Sequence, residues 1–284
     1  MKILILGASG MLGSALFRFL NKQKKMDIYG TLRKQEYIQY FEEQLSRKLI
    51  INSDANDYNQ ISEVLFRINP DVIINCIGVI KQVNEALDPT KTININALLP
   101  QKLKIDASKL GARLIHISTD CVFSGSKGNY TENDIPDADD LYGKTKFLGE
   151  VNDKHCLTLR TSLIGHELQT RNSFLEWFLS QNQMCNGYTH AIFSGFPTVV
   201  FANLISEVII PMQELHGIYH VATQPISKYE LLGLIAEKYD KKIEIKPNSD
   251  LVIDRSLCAD RFEQITGYKA PEWPKMIEVM HSNL

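Results

Sequence analysis

The stretch ILILGASGMLGSAL, residues 3–16, puts an apolar run from Ile3 to Leu6 directly before glycines at positions 7, 10 and 13. An apolar run that stops at a glycine and passes into the helical pattern MLGSALFRFLNKQ (11–23) reads as a buried strand, a tight turn and a helix. Glycines at such a junction permit the turn, let the backbone approach a bound group and let the helix pack closely on the strand. The free N–H groups and positive dipole end of the helix start then suit a phosphate. The spacing is GxxGxxG rather than the commoner GxGxxG, and the physics is shared. This junction points to a dinucleotide held over Gly7, Ser9, Gly10, Met11 and Leu12, against the alternative of a merely structural turn.

The same rhythm continues through the first half of the chain. KILILG (2–7), MDIYGT (26–31), KLIIN (48–52), DVIINCIG (71–78), RLIHIS (113–118) and CLTLRTS (156–162) are near-continuous apolar runs, as expected of strands covered on both faces. Helical patterns lie between them at 58–70 and 96–111, ended by Asn69-Pro70 and by Gly111. Strand–helix alternation of this kind predicts an α/β, doubly wound parallel sheet with helices on both sides. After about Leu163 the pattern loosens into NSFLEWFLSQ (172–181), GIYHVAT (217–223), SKYELLGLIAEKY (227–239) and IEIKP (243–247). We expect a dinucleotide-binding domain over 1–163 and a smaller mixed substrate lobe over 164–284, with about 196–223 returning to the large sheet. The cleft between them is the natural ligand site.

Composition excludes several classes. The 284 residues are 44% hydrophobic and 23% charged with a net charge of −2, ordinary for a globular protein and unsuited to a polyanion-binding surface. No apolar run approaches the roughly 18 residues a membrane helix needs. The initial run is too short for a signal peptide. Five cysteines with no CxxC pair suggest reduced thiols and a cytoplasmic protein. No His/Cys spacing fits a metal site. Neither nucleic acid nor membrane is an expected partner.

The second strand decides between cofactors. An acidic residue at its end would grip a ribose hydroxyl, whereas an arginine suits a 2′-phosphate. Here YGTLRKQ (29–35) offers Arg33 and Lys34 and no carboxylate, which favours NADPH and leaves NADH open, unless both are solvated surface charges. Asp54, after the third strand, is placed for the adenine edge or for an Asx turn.

In DDLYGKTKFLGE (139–150), Tyr142 and Lys146 stand four apart, hence on one helix face. An ammonium there would favour phenolate and lower the Tyr142 pKa, readying the phenol for proton transfer to or from a carbonyl oxygen. Upstream, HISTDCVFSG (116–125) ends a strand with Ser118, Thr119 and Asp120. With the glycine turn, this constellation resembles the extended short-chain dehydrogenase/reductase superfamily. The resemblance implies that Thr119 binds the substrate oxygen, Tyr142 donates the proton, and Lys146 tunes Tyr142 and binds the nicotinamide ribose. It also places Cys76, Ile77 and Gly78 beside the cofactor, and Asn96 as the residue that braces the strand below the site.

Over essentially the whole chain, STDCVFSG, YGKTKFLGE, LRTSLIG, GFPTVV, GIYHVAT and DRSL follow the order of the dTDP-4-dehydrorhamnose reductases. These enzymes reduce the 4-keto group of a nucleotide-activated deoxysugar with NAD(P)H. By that analogy Asp120, Cys121, Arg160, Pro197, Thr198 and Arg255 border the ligand cleft, the arginines either meeting a diphosphate or bracing the lobes. Three departures touch the substrate side: GVIKQVNEALDP (78–89) replaces a VDxAE-like stretch, Leu163 a tryptophan and Ala138 a proline. The resemblance therefore implies reduction of a nucleotide-linked keto-sugar more firmly than of the rhamnose precursor itself, with a UDP-linked N-acetylated deoxyhexose as a substitute, for surface polysaccharide synthesis. Asp120 lacks the following Glu of dehydratases. Cys121 matches the acid/base cysteine of GDP-fucose synthases, with His166 as a loose partner, or is a small packing residue. A combined epimerase–reductase, a non-catalytic regulatory subunit and a homodimer stay open.

Overall fold

The computed structural model describes the chain except residues 25, 52, 81–87, 170 and 284. It runs β1 (Lys2–Leu6), α1 (Met11–Gln23), β2 (Asp27–Thr31), α2 (Glu43–Ser46), β3 (Leu49–Ile50), α3 (Tyr58–Ile68) and β4 (Val72–Asn75). Then come α4 (Pro89–Ile93), a π-helical turn (Asn94–Leu98), α5 (Leu99–Leu110), β5 (Arg113–Thr119), α6 (Leu141–Leu148) and β6 (Cys156–Thr161). The remainder is β7 (Leu163–Ile164), α7 (Phe174–Ser180), β8 (Met184–Phe193), β9 (Phe196–Pro197), α8 (Thr198–Leu204), β10 (Gly217–His220), β11 (Ile226–Ser227), α9 (Lys228–Lys238), β12 (Glu244–Asp254), α10 (Asp260–Thr266) and α11 (Trp273–Ser282).

Seven parallel strands form the large sheet in the order β3-β2-β1-β4-β5-β6-β10. Alternate side chains of each strand enter two separate cores, because successive residues of a strand point to opposite faces. Ile3 and Ile5 pack with Leu16, Phe17 and Phe201 on one side; Leu4 and Leu6 pack with Ile61, Leu65 and Leu103 on the other. Both faces are thus covered, which is why these strands read as unbroken apolar runs. The expected doubly wound sheet is present. Its order reverses between β1 and β4, and there the strand ends part to leave a crevice.

Past β6 the chain builds a mixed three-stranded sheet, β11-β8-β12, with β8 antiparallel to β11 and parallel to β12. Between its strands the chain rejoins the large sheet: α8 packs on α1 and β10 pairs with β6. Two elements here escape a pattern reading. MCNGYTHAIF forms the ten-residue β8 although Asn186, Gly187, Thr189 and His190 interrupt its apolar positions. β12 continues beyond Pro247 to Asp254 through a register shift between Asn248 and Val252.

The turn after β1 depends on missing side chains. Gly7 has φ +82°, and a Cβ on Gly13 would lie 2.1 Å from the Gly7 carbonyl oxygen. Gly13→Ala should therefore cost about 1–3 kcal/mol by overpacking. Gly233→Ala, at an exposed position of α9 with open space around it, should instead gain up to about 1 kcal/mol. Urea unfolding midpoints of the two variants check both signs.

Candidate active site

A cleft of about 730 Å³ opens at the reversal of strand order. At one end lie the glycine turn residues Gly7, Ser9, Gly10, Met11 and Leu12. Thr31, closing β2, accepts a hydrogen bond from the Gly7 N–H through Oγ1 at 3.0 Å, which ties the turn to the neighbouring strand. Arg33 and Asp54 stand on the same wall, Arg33 exposed at the rim. Lys34 does not line the cleft; it pairs with Glu36 at 3.2 Å. The Asp54 carboxylate accepts from the Asn56 N–H at 3.0 Å and from Asn56 Nδ2 at 2.9 Å, so an Asx turn and a cleft position coexist. Cys76, Ile77 and Gly78 follow β4 into the cleft, and burial pushes the Cys76 thiol up to about 12.

Thr119, Tyr142 and Lys146 line the other half. Thr119 ends β5; its Oγ1 accepts from the Cys121 N–H at 3.1 Å and donates to Asp120 Oδ1 at 3.1 Å. Tyr142 and Lys146 lie on α6, whose start is capped by Asp140 accepting from the Gly143 N–H at 2.8 Å. The Tyr142 phenol is hydrogen-bonded to Thr119, and Lys146 Nζ donates to the Ile117 carbonyl at 2.7 Å. Asn96, in the π turn, accepts from the Val79 N–H at 2.8 Å and donates to the Val79 carbonyl at 3.0 Å and Thr145 Oγ1 at 3.4 Å. It thereby fastens the segment after β4 to α6.

Electrostatics depart from the sequence-based expectation at one point. Burial, with Cys121 next, raises the Tyr142 phenol above its ordinary value, against the smaller opposing influence of Thr119. The neighbouring Lys146 ammonium is itself desolvated, its pKa falling to about 8 against the attraction of Glu150 and Cys76. His116, on β5, is fully buried, and burial together with Lys146 keeps its ring neutral.

On the substrate side Asp120, Cys121 and Arg255 border the cleft. Arg255 Nε donates to the Phe123 carbonyl at 2.8 Å, and burial raises the Asp120 carboxyl. Arg160 does not border it. Its guanidinium is buried behind β5, paired with Glu150 at 2.7 Å and set 5.2 Å from the Phe123 ring centroid. Pro197 and Thr198 are likewise buried away from the cleft. His166 is no partner for Cys121: its ring lies between Glu176 at 2.8 Å and the Tyr239 hydroxyl at 2.9 Å, outside the cleft. The substituted stretch after β4 falls mostly on 81–87, outside the described residues. Sequence reasoning passed over Lys228, the first residue of α9, which lines the cleft 5.6 Å from the Phe174 ring centroid. No local pattern marks it; the fold alone brings α9 to the cleft. Among the described residues no cluster of three or more His, Cys, Asp or Glu could hold a metal, and no helix is long and apolar enough to cross a membrane.

The model of the RmlD substrate binding domain family matches residues 1–273. The chain belongs to this family. Relatives include methionine adenosyltransferase 2 subunit beta of Bos taurus, 30% identical over 98% of this chain and 89% of that protein. Spore coat polysaccharide biosynthesis protein SpsK of Bacillus subtilis is also 30% identical, over 84% of this chain and 79% of its own length. Among solved structures, a dTDP-4-dehydrorhamnose reductase from Bacillus anthracis in complex with NADP superposes with a TM-score of 0.80 at 23% identity, covering 100% of this chain and 98% of that one. The RmlD-family fold is thus shared along the chain, and the cleft lies within the family match.

Arg160 offers a check on the site's periphery. Arg160→Met leaves the Glu150 carboxylate buried without its ion-pair partner and should cost about 3–5 kcal/mol. A lowered urea midpoint, with no change in slope, is the expected result.

Proposed function

We propose that the chain is an NADPH-dependent reductase of a nucleotide-linked 4-keto-6-deoxysugar. The observation that carries this reading is the convergence of Thr119, Tyr142 and Lys146 with the glycine turn on one cleft. The residues fit the cofactor. Gly7 has φ +82° and a Cβ on it would meet Ile77 Cγ1 at 2.9 Å, so the turn keeps its shape only as glycine, and a glycine turn at a helix start suits the close approach of a pyrophosphate. Gly7 to Leu12 would hold that pyrophosphate, Arg33 the 2′-phosphate, Asp54 the adenine edge, and Lys146 the nicotinamide ribose. Bound there, the nicotinamide supplies the hydride.

The chain's own part is binding and proton transfer. Thr119 Oγ1 holds the substrate carbonyl oxygen beside Tyr142, which gives its proton to that oxygen as it becomes an alkoxide. A phenol raised by burial stays protonated through neutral pH, the form that reduction needs, and is still far more acidic than the alcohol formed. Lys146, charged below about pH 8, stabilises the phenolate left behind. Arg255 and Lys228 offer two cations to the diphosphate of the sugar nucleotide, with the sugar against Asp120 and Cys121. In this reading residues 1–163 bind the dinucleotide and 164–284 the substrate, 196–223 rejoining the large sheet. SpsK, by its name a spore coat polysaccharide biosynthesis protein, supports a role in surface polysaccharide precursor synthesis, and a cytoplasmic location belongs to the same proposal.

A second reading, a cofactor-binding subunit without turnover, draws on the likeness to the bovine adenosyltransferase subunit beta. Epimerisation through Cys121 is the weaker option, since His166 is engaged elsewhere.

NADPH oxidation is followed by absorbance with dTDP- and UDP-linked 4-keto-6-deoxysugars. Tyr142→Phe should lower turnover roughly 10²–10⁴-fold and leave NADPH affinity intact. NADPH binding with no oxidation by either protein would favour the subunit reading. Arg33→Ala should reduce the preference for NADPH over NADH roughly 10- to 100-fold, the value of a charge-assisted contact. The rate should fall as pH rises through about 8, where Lys146 loses its proton.

A further inference from the structure

His166, engaged away from the cleft, joins elements that the proposed chemistry leaves unlinked. It follows β7, and both of its ring nitrogens are partnered. A carboxylate only accepts, so Nδ1 donates to Glu176 Oε1 of α7 at 2.8 Å. Nε2 lies 2.9 Å from the hydroxyl of Tyr239, the residue that ends α9. The Tyr239 ring in turn meets His281 of α11 edge to face, with centroids 4.7 Å apart. Side-chain exposures of 26% for His166 and 19% for Glu176 keep these contacts partly shielded from water.

Each partner belongs to an element that continues into the cleft. Glu167 and Leu168, the residues after His166, line it. Glu167 Oε2 accepts from the Asn172 N–H at 2.9 Å and from the Ser173 N–H at 3.0 Å. Ser173 donates from Oγ to the Gly165 carbonyl at 3.3 Å and caps α7 by accepting from the Glu176 N–H at 3.3 Å. α7 opens on Phe174 and α9 opens on Lys228, both in the cleft wall, with Lys228 Nζ 5.6 Å from the Phe174 ring centroid. The two helices are therefore joined at the cleft by Phe174 and Lys228 and behind it by Glu176, His166 and Tyr239.

The geometry lets the rear contact govern the front one. α9 is about 16 Å long. Buried Leu231, Leu232 and Ile235 and the capping box of Ser227 with Glu230 hold it as one piece. A lysine in the first turn of a helix is disfavoured by the dipole, so Lys228 does not stand there for the benefit of the helix. At the far end of α7, Lys241 Nζ donates to the carbonyls of Leu179 at 2.8 Å and Gln181 at 2.7 Å. α7 thus stays docked without His166, and its cleft end alone depends on the ring. We infer that His166 is a positioning residue of the substrate half of the cleft: by joining Glu176 to Tyr239 it sets the starts of α7 and α9, and with them Phe174 and Lys228. Its consequence for a sugar nucleotide rests on the reductase reading, whereas its consequence for the cleft wall does not.

The test is calorimetric titration of UDP and of dTDP into protein saturated with NADPH. His166→Phe removes both polar contacts, and Tyr239→Phe removes one hydroxyl at nearly constant shape. For the nucleotide that the wild type binds, His166→Phe should raise Kd roughly three- to tenfold, the order of one hydrogen bond, and leave the Kd of NADPH within about twofold. Tyr239→Phe should act in the same direction. The double variant should bind no more weakly than His166→Phe, because the second substitution finds the contact already lost. An unchanged nucleotide Kd in folded His166→Phe, or an equal loss of NADPH affinity, overturns the inference. Should that variant not fold, Tyr239→Phe carries the same two outcomes. If the wild type binds neither UDP nor dTDP, the reductase reading fails, and hydrogen exchange read by mass spectrometry decides the role of His166. Faster exchange in Tyr239→Phe and His166→Phe at both 165–169 and 226–232, with 7–12 unmoved, is the expected result. Faster exchange confined to 165–169 leaves His166 a local brace and overturns the inference.

Discussion

The backbone of α6 comes closer to its neighbours than any side chain would allow. A Cβ on Gly143 would lie 2.2 Å from the Cys121 carbonyl oxygen, and one on Gly149 would lie 1.9 Å from the Asn96 carbonyl oxygen. These two approaches set α6 against the end of β5 on one side and the π turn on the other. From there Tyr142 meets Thr119, Lys146 reaches the Ile117 carbonyl, and Glu150 arrives beside Ser118. The π turn belongs to the same arrangement, since its wider coil presents Asn96 to Val79 and Thr145 together. Two hydrogen atoms in place of side chains thus fix the spacing on which the candidate chemistry depends.

Placing this group against the sheet has an electrostatic cost, visible in opposite directions on two neighbours. Burial raises the phenol and lowers the ammonium, each toward its neutral form. Proximity of a lysine to a tyrosine is therefore not enough to activate the tyrosine; the lysine must first keep its own proton. The Glu150 carboxylate just after α6 and the carbonyl of Ile117 are groups that help it do so.

Much of this architecture was legible in local sequence, and the rest was hidden for identifiable reasons. The glycine turn and the strands of the large sheet announce themselves because both depend on residues adjacent in the chain. The alignment of Tyr142 with Lys146 is a helical period. β8 was obscured because its exposed positions carry Asn186, Thr189 and His190, so the apolar run is broken. For Arg160 the sequence leaves ligand contact and bracing open, because its partners are set by the fold: Glu150, ten residues earlier, and His220 across the sheet edge. Lys228 could not be found at all from its neighbours: the cleft position is set by the docking of α9 on β8. The direction of the Tyr142 shift was missed because burial is a property of the assembled fold.

The strand order carries a lesson about modularity. Because α8 and β10 belong to the large sheet while β8, β11 and β12 do not, the smaller lobe is not a unit appended after residue 163 but a layer stitched through its host. The chain crosses from host to lobe, back again, and out once more. Recombination at a single junction would strip an edge strand from one parent and orphan a helix of the other.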